Sequence, residues 1–238
     1  IPIEVDSYIG GNVIEVIEEE GAVLEVQGAH IQGILGIGGE KHGEILVLSD
    51  NRNEAIFPEM LNESHKNKIL IGGSYLSVDA YKKAQSIGVS GIVVGGFDYD
   101  SLSYLLGYQL GVAITGSEEV KTSIVMTEGF GRVSMAEKTF NLFKNFNNKI
   151  ASMNGATQIR AGVIRPEVII PITEDNSDSK IKNLSENDMI ISVGSNVRVI
   201  RTPYFGKVGK VIGLPSELME MESETIVRVA EVKFLDGK

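Results

Sequence analysis

Cysteine is absent from this chain of 238 residues, and so is any run of about 18 apolar residues. The first absence excludes disulfide bonds, thiolate metal ligands and cysteine nucleophiles, and the second argues against a transmembrane helix. The first residues lack the basic start and the apolar stretch of a secretory signal peptide. We therefore expect a cytoplasmic protein that makes no use of a membrane.

Basic residues are also scarce, because 22 Lys and Arg stand against 32 Asp and Glu, which gives a formal charge of −10. Proteins that coat nucleic acid carry a basic surface, so this balance argues against that class. A local exception is the stretch between Asp188 and Glu217, which contains four Lys or Arg and no acid. Any contact with nucleic acid is expected there.

Residues 67–148 alternate short apolar runs with glycines and with helical periodicity, which is typical of an α/β layer with a mostly parallel sheet. The predicted strands are residues 68–71, 91–94 and 123–127, with a shorter strand–turn unit at residues 112–119. The predicted helices begin at Ser77, at Asp98 or Asp100, and at Ser134. Ser77 and Gly88 are residue types that cap the start and the end of a helix.

The glycines that follow these strands predict a ligand-binding edge. In open α/β sheets, ligands bind beyond the carboxyl ends of the strands, where helix N-termini attract anions. Arginine, asparagine and threonine side chains between residues 154 and 165 add groups suited to a phosphate or a carboxylate. The candidate ligand-binding residues are Gly72, Gly73, Ser74, Gly95, Gly96, Thr127, Gly129, Gly131, Asn154, Thr157, Arg160 and Arg165. The alternative is that the glycines form tight βα turns and that the arginines pair with acids of a neighbouring domain.

The N-terminal part is rich in glycine and in short strand-like runs, which favours a small barrel or sandwich. It resembles the barrel-sandwich hybrid of biotinyl and lipoyl domains, but Lys41, in a predicted turn, lacks the flanking methionine of a carrier lysine. We predict that residues 155–171 pair with the strands of residues 12–48, which gives a glycine-rich β module of residues 1–66 and 149–172 with residues 67–148 inserted. The alternative is that residues 155–171 extend the α/β sheet beside Ile124.

Residues 173–187 are polar and predict a mobile, protease-sensitive linker. Residues 194–211, with their glycines and the pair Pro203 and Tyr204, resemble a KOW motif. The resemblance implies an SH3-like barrel over residues 188–238, as in transcription-elongation factors and some ribosomal proteins. Its expected strands are residues 197–200, 210–214 and 226–235, with a bend at Gly209. Such a barrel needs one more strand, so we expect it to be truncated or open.

The KOW-like stretch places basic residues around two aromatic rings, Tyr204 and Phe205. Small barrels bind single-stranded RNA through such groups, by phosphate contact and base stacking. The predicted partner-binding residues are Arg198, Arg201, Tyr204, Lys207 and Lys210, and the partner is RNA or protein. The alternative is that Phe205 packs inside the barrel and that the charges form a solvated rim.

Two phosphate-binding patterns fail on inspection. Residues 129–134 echo G-x-G-x-x-G, but Ser134 replaces the third glycine, and no acid follows the next strand to hold a ribose. Residues 116–122 are one residue short of a P-loop and carry Glu118 and Glu119 where phosphate would lie.

Histidine and serine give no clear catalytic pattern either. His42 lies between Glu40 and Glu44, with His30 upstream, and is interpreted as a solvated residue of a turn. We therefore predict no metal site, although imidazole and carboxylate are ligand types. A Ser–His–Asp order is not visible.

Taken together, the three regions resemble a family of bacterial proteins with a KOW-like tail, and the resemblance implies no activity. The predicted class is an α+β or α/β multidomain protein without a cofactor that binds RNA or protein through its tail. Its α/β edge is the predicted place for a small anionic ligand. The rival prediction is an enzyme that acts on a phosphorylated or carboxylated metabolite at that edge. A filled edge favours the binding protein, whereas a deep pocket with convergent Arg, Thr and Asn favours the enzyme.

Overall fold

The computed structural model describes residues 7–106, 120–158, 163–172, 191–199, 207–220 and 226–234. The chain divides into two compact units, unit 1 (Ile1–Ser177) and unit 2 (Asp178–Lys238). The predicted strand–turn unit at residues 112–119, the linker at residues 173–187 and residues 200–206 of the KOW-like stretch lie outside the described residues. The fold is mixed α+β, as predicted.

The described part of unit 1 contains ten strands and three α-helices. The strands are β1 (Asn12–Ile17), β2 (Gly21–Glu25), β3 (Gly28–Gln32), β4 (Leu35–Ile37), β5 (Glu40–Val47), β6 (Lys68–Ile71), β7 (Gly91–Phe97), β8 (Ser123–Phe130), β9 (Ile150–Asn154) and β10 (Glu167–Pro171). The helices are α1 (Val78–Ile87), α2 (Tyr99–Leu106) and α3 (Glu137–Asn145). Short 3₁₀ helices at Pro58–Met60 and Glu63–His65 precede β6.

Eight of these strands form one sheet, in the order β3-β10-β9-β5-β6-β7-β8-β4. The strands β5 to β8 run parallel to one another, and the remaining pairs are antiparallel. The predicted pairing of residues 155–171 with the N-terminal strands is confirmed for residues 167–171, since β10 pairs with β3. The β-rich residues 1–66 and 149–172 and the α/β residues 67–148 therefore share one sheet, while β1 and β2 form a separate hairpin.

The parallel strands are buried on both faces, which explains their near-continuous apolar sequences. β6 reads KILI, and β7 is buried along its whole length. α1 and α2 cover one face, where Tyr81 and Leu102 pack against β6 to β8. α3 covers the other face with Phe140 and Phe143, and this second core continues onto β9 and β10.

The helix starts follow from capping. The Ser77 hydroxyl accepts a hydrogen bond from the Ala80 N–H at 3.2 Å, and Gly88 ends α1 with a φ of 86°. Both ends of α1 were predicted from these residues. The prediction that α3 begins near Ser134 is wrong, because Ala136 is still extended and the helix begins at Glu137.

Several strands extend further than predicted. β7 continues through Gly95 and Gly96, and β8 continues through Gly129, because Gly96 pairs with Gly129 beyond an irregularity in the ladder at Gly95. Lys41 and His42 also lie in a strand rather than a turn, since β5 pairs with β9 from its first residue onwards.

The two edge strands of the sheet are consecutive in the chain, which requires the sheet to curve strongly. β3 and β4 occupy opposite edges, yet Gly33 and Ile34 alone separate them. The Gly33 N–H donates to the Pro166 carbonyl at 2.7 Å, and the Ile34 N–H donates to the Met126 carbonyl at 2.8 Å. One nearly continuous segment, residues 28–37, therefore joins both edges.

In unit 2 the described strands are β11 (Asn196–Arg198), β12 (Val208–Gly213), β13 (Met219–Glu220), β14 (Ile226–Val227) and β15 (Glu231–Phe234). β11, β12 and β15 form an antiparallel sheet around the buried Val211, and β13 pairs with β14.

Two predictions for unit 2 are wrong. Residues 226–235 do not form one long strand, since β14 and β15 belong to different sheets. Gly209 does not introduce a bend, since it lies within β12 opposite Phe234. A Cβ on this glycine would lie 2.4 Å from a Val232 methyl group, so close packing against β15 explains the glycine.

Candidate functional site

The predicted ligand edge lies at the carboxyl ends of β6, β7 and β8, but its hydrogen-bond donors are already used. Four backbone N–H groups donate to backbone carbonyls at 2.9 Å: Gly72 to Val93, Ser74 to Glu54, Gly96 to Ser74, and Gly131 to Phe97. The Ser74 hydroxyl donates to the Asn53 carbonyl, and the Thr127 hydroxyl donates to the Val94 carbonyl. Anion sites on glycine loops depend on N–H groups that point to the ligand, and these four do not.

Three glycines of this edge admit the protein's own backbone rather than a ligand, whereas Gly129 and Gly131 have open space beside them. A Cβ on Gly73 would lie 2.4 Å from the Arg52 carbonyl oxygen, and one on Gly95 would lie 1.9 Å from the Val133 carbonyl oxygen. A Cβ on Gly96 would similarly meet the Gly131 carbonyl oxygen at 2.2 Å. The edge is therefore filled where these glycines lie.

The helix N-termini next to this edge are also occupied by the chain's own side chains. An Asp98 carboxylate oxygen accepts hydrogen bonds from the Ser101 N–H at 2.9 Å and from the Ser101 hydroxyl at 2.7 Å. These bonds lower the pKa of Asp98. A Glu128 carboxylate oxygen accepts from the Ala136 N–H at 2.8 Å, just before α3. Two carboxylates thus hold the positions that favour a bound anion.

The remaining predicted ligand residues are not brought to this edge. Asn154 pairs with Glu40, the first residue of β5, and Thr157 accepts a hydrogen bond from the Gly36 N–H at 2.9 Å. Both lie towards the amino ends of the parallel strands, opposite to the glycines. Arg165 is exposed and donates to the Ile34 carbonyl at 3.1 Å, while Arg160 lies outside the described residues.

An open cavity of about 280 Å³ lies beside the carboxyl end of β5. Its lining residues are Val47, Leu48, Ser49, Asp50, Lys144 and Asn147. The Lys144 ammonium lies 2.7 Å from the Asp50 carboxylate, which lowers the pKa of Asp50. The side-chain amide oxygen Oδ1 of Asn147 accepts a hydrogen bond from the Val47 N–H. These polar groups are satisfied internally, so they do not converge on the cavity as ligand-binding groups would.

The antiparallel half of the sheet carries a polar cluster that the sequence analysis missed. His42 Nδ1 lies 3.0 Å from the Ser152 hydroxyl, and this hydroxyl lies 2.7 Å from the Tyr8 carbonyl oxygen. Because a hydroxyl has one proton and the carbonyl must accept it, His42 Nδ1 carries the proton of the His42–Ser152 bond. Ser152 is therefore held as a structural donor and is not activated as a nucleophile by this nitrogen.

Tyr8 covers this cluster, and its buried hydroxyl has no hydrogen-bond partner among the described residues. Burial raises the pKa of Tyr8, and the nearby carboxylates Glu167 and Glu40 add to the effect. A carboxylate oxygen of Glu167 also lies 2.8 Å from His30 Nε2, within hydrogen-bond distance. The sequence gives little sign of this face, because β9 reads IASMN and β10 reads EVIIP, and neither strand alternates polar with apolar residues.

Metal binding finds no support among the described residues, where no group of three or more histidine or acidic side chains could hold an ion. In the same part of the chain, every helix is too short or too polar to cross a membrane.

The tail presents two lysines directly opposite each other. Lys210 of β12 pairs with Lys233 of β15, and Asn196 of β11 lies on the other side of Lys210. Both lysines are exposed. Lys207 differs, since its ammonium lies 5.2 Å from the centre of the Phe234 ring, as a cation–π contact. Arg201 and Tyr204, and the side chain of Arg198, lie outside the described residues.

The hairpin of β1 and β2 is exposed along its whole first strand. Val13 pairs with Leu24, and Val16 pairs with Ala22, so these four apolar side chains share one face. Val16 is 75% exposed and Val13 is 58% exposed. The apolar run at residues 13–17 was visible in the sequence. Its exposure was not, because the sequence does not reveal that the described fold leaves this run uncovered.

Comparisons with known proteins return no matching family model, no matching curated protein and no matching solved structure.

Proposed function

We propose that this protein is a non-enzymatic binding protein whose C-terminal unit contacts single-stranded RNA. Support comes first from the glycine edge of unit 1, where backbone, Asp98 and Glu128 fill the positions that a small anionic substrate would take. A filled edge is what we expect of a binding protein, and it disfavours an enzyme that acts on phosphorylated or carboxylated metabolites there. The SH3-like, KOW-like character of unit 2 is part of this proposal.

The observation that carries the proposal is the opposition of Lys210 and Lys233 on one exposed sheet face. Like charges directly opposite each other on neighbouring strands are destabilising. An anionic partner that lies across β12 and β15 removes this repulsion, because its phosphates neutralise both ammonium groups. Asn196 extends the same row with an uncharged hydrogen-bonding group.

The charge of the whole molecule fits a contact that is confined to unit 2. This unit contains nine Lys and Arg and nine Asp and Glu, so the net charge of −10 belongs to unit 1. Unit 1 repels a polyanion, and the acid-free stretch between Asp188 and Glu217 does not. RNA is therefore expected to bind to unit 2 alone, and its affinity is expected to fall strongly as the salt concentration rises.

The test is a titration of a fluorescently labelled single-stranded RNA of mixed sequence with the full chain, at several salt concentrations. The double variant Lys210→Gln/Lys233→Gln removes two phosphate contacts. At about 0.1 M salt its affinity should fall roughly 25-fold, and the log–log salt slope should become smaller by about 1.4. The matched control Lys121→Gln/Lys138→Gln removes the same charge from unit 1 and should change the affinity little.

Two results contradict the RNA proposal. One is an absence of binding at tens of micromolar protein in low salt, and the other is equal weakening by the two double variants. Either result leaves a protein as the partner of unit 2.

A further inference from the structure

The hairpin β1–β2 combines an apolar face with one sign of charge. Its residues 12–25 include five glutamates and no Lys or Arg. Glu18, Glu19 and Glu20 form the turn, while Glu15 and Glu25 lie on the strands. Glu15 pairs with Val23 and Glu25 pairs with Asn12, so these two carboxylates lie on the face opposite to Val13, Val16, Ala22 and Leu24, while the turn places three more at one end of the hairpin.

This hairpin forms a two-stranded sheet with no further strand paired to it in the described fold. Isolated two-stranded hairpins are marginally stable in water, and their outer edges offer unpaired N–H and C=O groups. β1 has the β-branched composition of a strand that pairs well, with Val13, Ile14, Val16 and Ile17 among its six residues. All four are more than 40% exposed. A clustered apolar surface of this kind marks an interaction site.

Charge decides between the possible occupants. A second copy of the hairpin would bring five more glutamates against the first five, so self-association is opposed. Nucleic acid is opposed for the same reason. An extended protein segment that alternates apolar residues with lysine or arginine fits both the apolar face and the negative charge of the hairpin. It can add to the free strand edge while its cations contact the glutamates.

We propose that the hairpin β1–β2 is a docking site for a basic, extended segment of a partner protein, which binds as an added strand. This site goes beyond the RNA contact of unit 2 and requires the opposite charge in its partner. The two proposals rest on different residues, so each can fail without the other.

The test uses the full chain and a fluorescently labelled ten-residue peptide of alternating lysine and valine. Two control peptides replace valine by serine or lysine by glutamate. The lysine–valine peptide should bind at least tenfold more tightly than either control, because it alone offers both the apolar side chains and the cations.

The variant Val13→Thr/Val16→Thr keeps the β-branched shape of the strand and removes the apolar face. It should weaken peptide binding at least tenfold. Glu18→Gln/Glu20→Gln should weaken it several-fold and reduce its salt dependence. The control is Ile150→Thr, which makes the same kind of change at an exposed strand residue away from the hairpin. It should leave the affinity unchanged.

The proposal is overturned if the lysine–valine peptide does not bind at millimolar concentration, or if both valine substitutions leave its affinity unchanged. It is also overturned if sedimentation of the chain alone reveals a dimer that Val13→Thr/Val16→Thr dissociates, since the occupant is then a second copy. Circular dichroism at equal concentration verifies that each variant is folded.

Discussion

The parallel and antiparallel halves of the large sheet solve the same packing problem in different ways. In β6 to β8 both faces are covered by helices, and glycines let the backbone of neighbouring segments approach to contact distance. In β9 and β10 one face packs on α3, while the other carries Ser152 and Glu167 beneath Tyr8. The glycines of β7 are fixed by steric closure, and the face of β9 and β10 beneath Tyr8 is fixed by individual hydrogen bonds. Substitutions at those glycines should therefore cost more than substitutions on the face beneath Tyr8.

The largest expected effect comes from Gly95→Ala in β7. The added Cβ would lie 1.9 Å from the Val133 carbonyl oxygen, a backbone atom that cannot move independently. We expect a loss of about 3 kcal/mol or more in the free energy of unfolding, measured by urea denaturation. Gly21→Ala is the control, because its Cβ would meet nothing within 4 Å. Equal stability of the two variants would mean that the parallel half is not sterically closed.

The next-largest effect tests the hydrogen bond between Thr157, which follows β9, and Gly36 of β4. The Thr157 hydroxyl is fully buried and accepts from the Gly36 N–H, next to β8. Thr157→Val keeps the shape and removes the acceptor, so the free energy of unfolding should fall by about 1–3 kcal/mol. Thr139→Val on the partly exposed side of α3 should change it by about 0.5 kcal/mol or less. A similar value for both variants would contradict the role given to Thr157.

A smaller loss is expected from Ser152→Ala in the antiparallel half. The variant removes the donor to the Tyr8 carbonyl and the acceptor of His42 Nδ1. The expected cost is about 1 kcal/mol in the same denaturation assay. Ser86→Ala, at an exposed position on α1, is the reference. If Ser152→Ala costs as much as Gly95→Ala, the contrast between the two halves is wrong.

The smallest effects are pH dependences of opposite sign. Burial lowers the pKa of His65, beside β6, and the nearby Lys68 adds to this, so the unfolded chain takes up a proton first as the pH falls. The stability from neutral His65 is present above about pH 6.5 and is lost below it. Burial raises the pKa of Tyr8, so its contribution is present below about pH 10 and is lost as the pH rises further.

Two variants separate the pH dependence that comes from His65 from the one that comes from Tyr8. His65→Gln should flatten the acid side of the stability profile, and Tyr8→Phe should flatten the alkaline side. Tyr8→Phe should also be neutral or stabilising at pH 7, because the buried hydroxyl that it removes finds no hydrogen-bond partner in the part of the chain that the structure describes. Unchanged profiles in urea denaturation at pH 5, 7, 10 and 11 would contradict both assignments.

Local signals in the sequence were sufficient for both ends of α1, but not for the start of α3. Ser77 and Gly88 act on their own neighbours, so they predicted both ends of α1. For the glycines of β7 and β8, local signals did not predict the structure. Gly95 and Gly96 are required by the approach of residues 131–135, and a sequence pattern cannot distinguish that requirement from a tight turn.

The predicted ligand-binding residues do not all lie at one edge, because their positions depend on the order of strands in the sheet. Thr157 and the glycines seemed to form one set along the chain, but β9 runs antiparallel to β5 and carries the chain to the other end of the sheet. Lys233 was missed because its relevance comes from the strand partner Lys210, which lies more than twenty residues earlier.

The continuous segment of residues 28–37 has a consequence for the order of folding. Its carbonyl partners, Met126 and Pro166, lie about 90 and 130 residues further along the chain, so the contacts that close the sheet have high sequence separation. During synthesis this apolar segment emerges long before β8 and β10 exist. Until they do, it is an unpaired strand that is prone to aggregation. Closure of the sheet is therefore expected to be a late and slow event, and a chain that ends before residue 172 should require a chaperone to remain in solution.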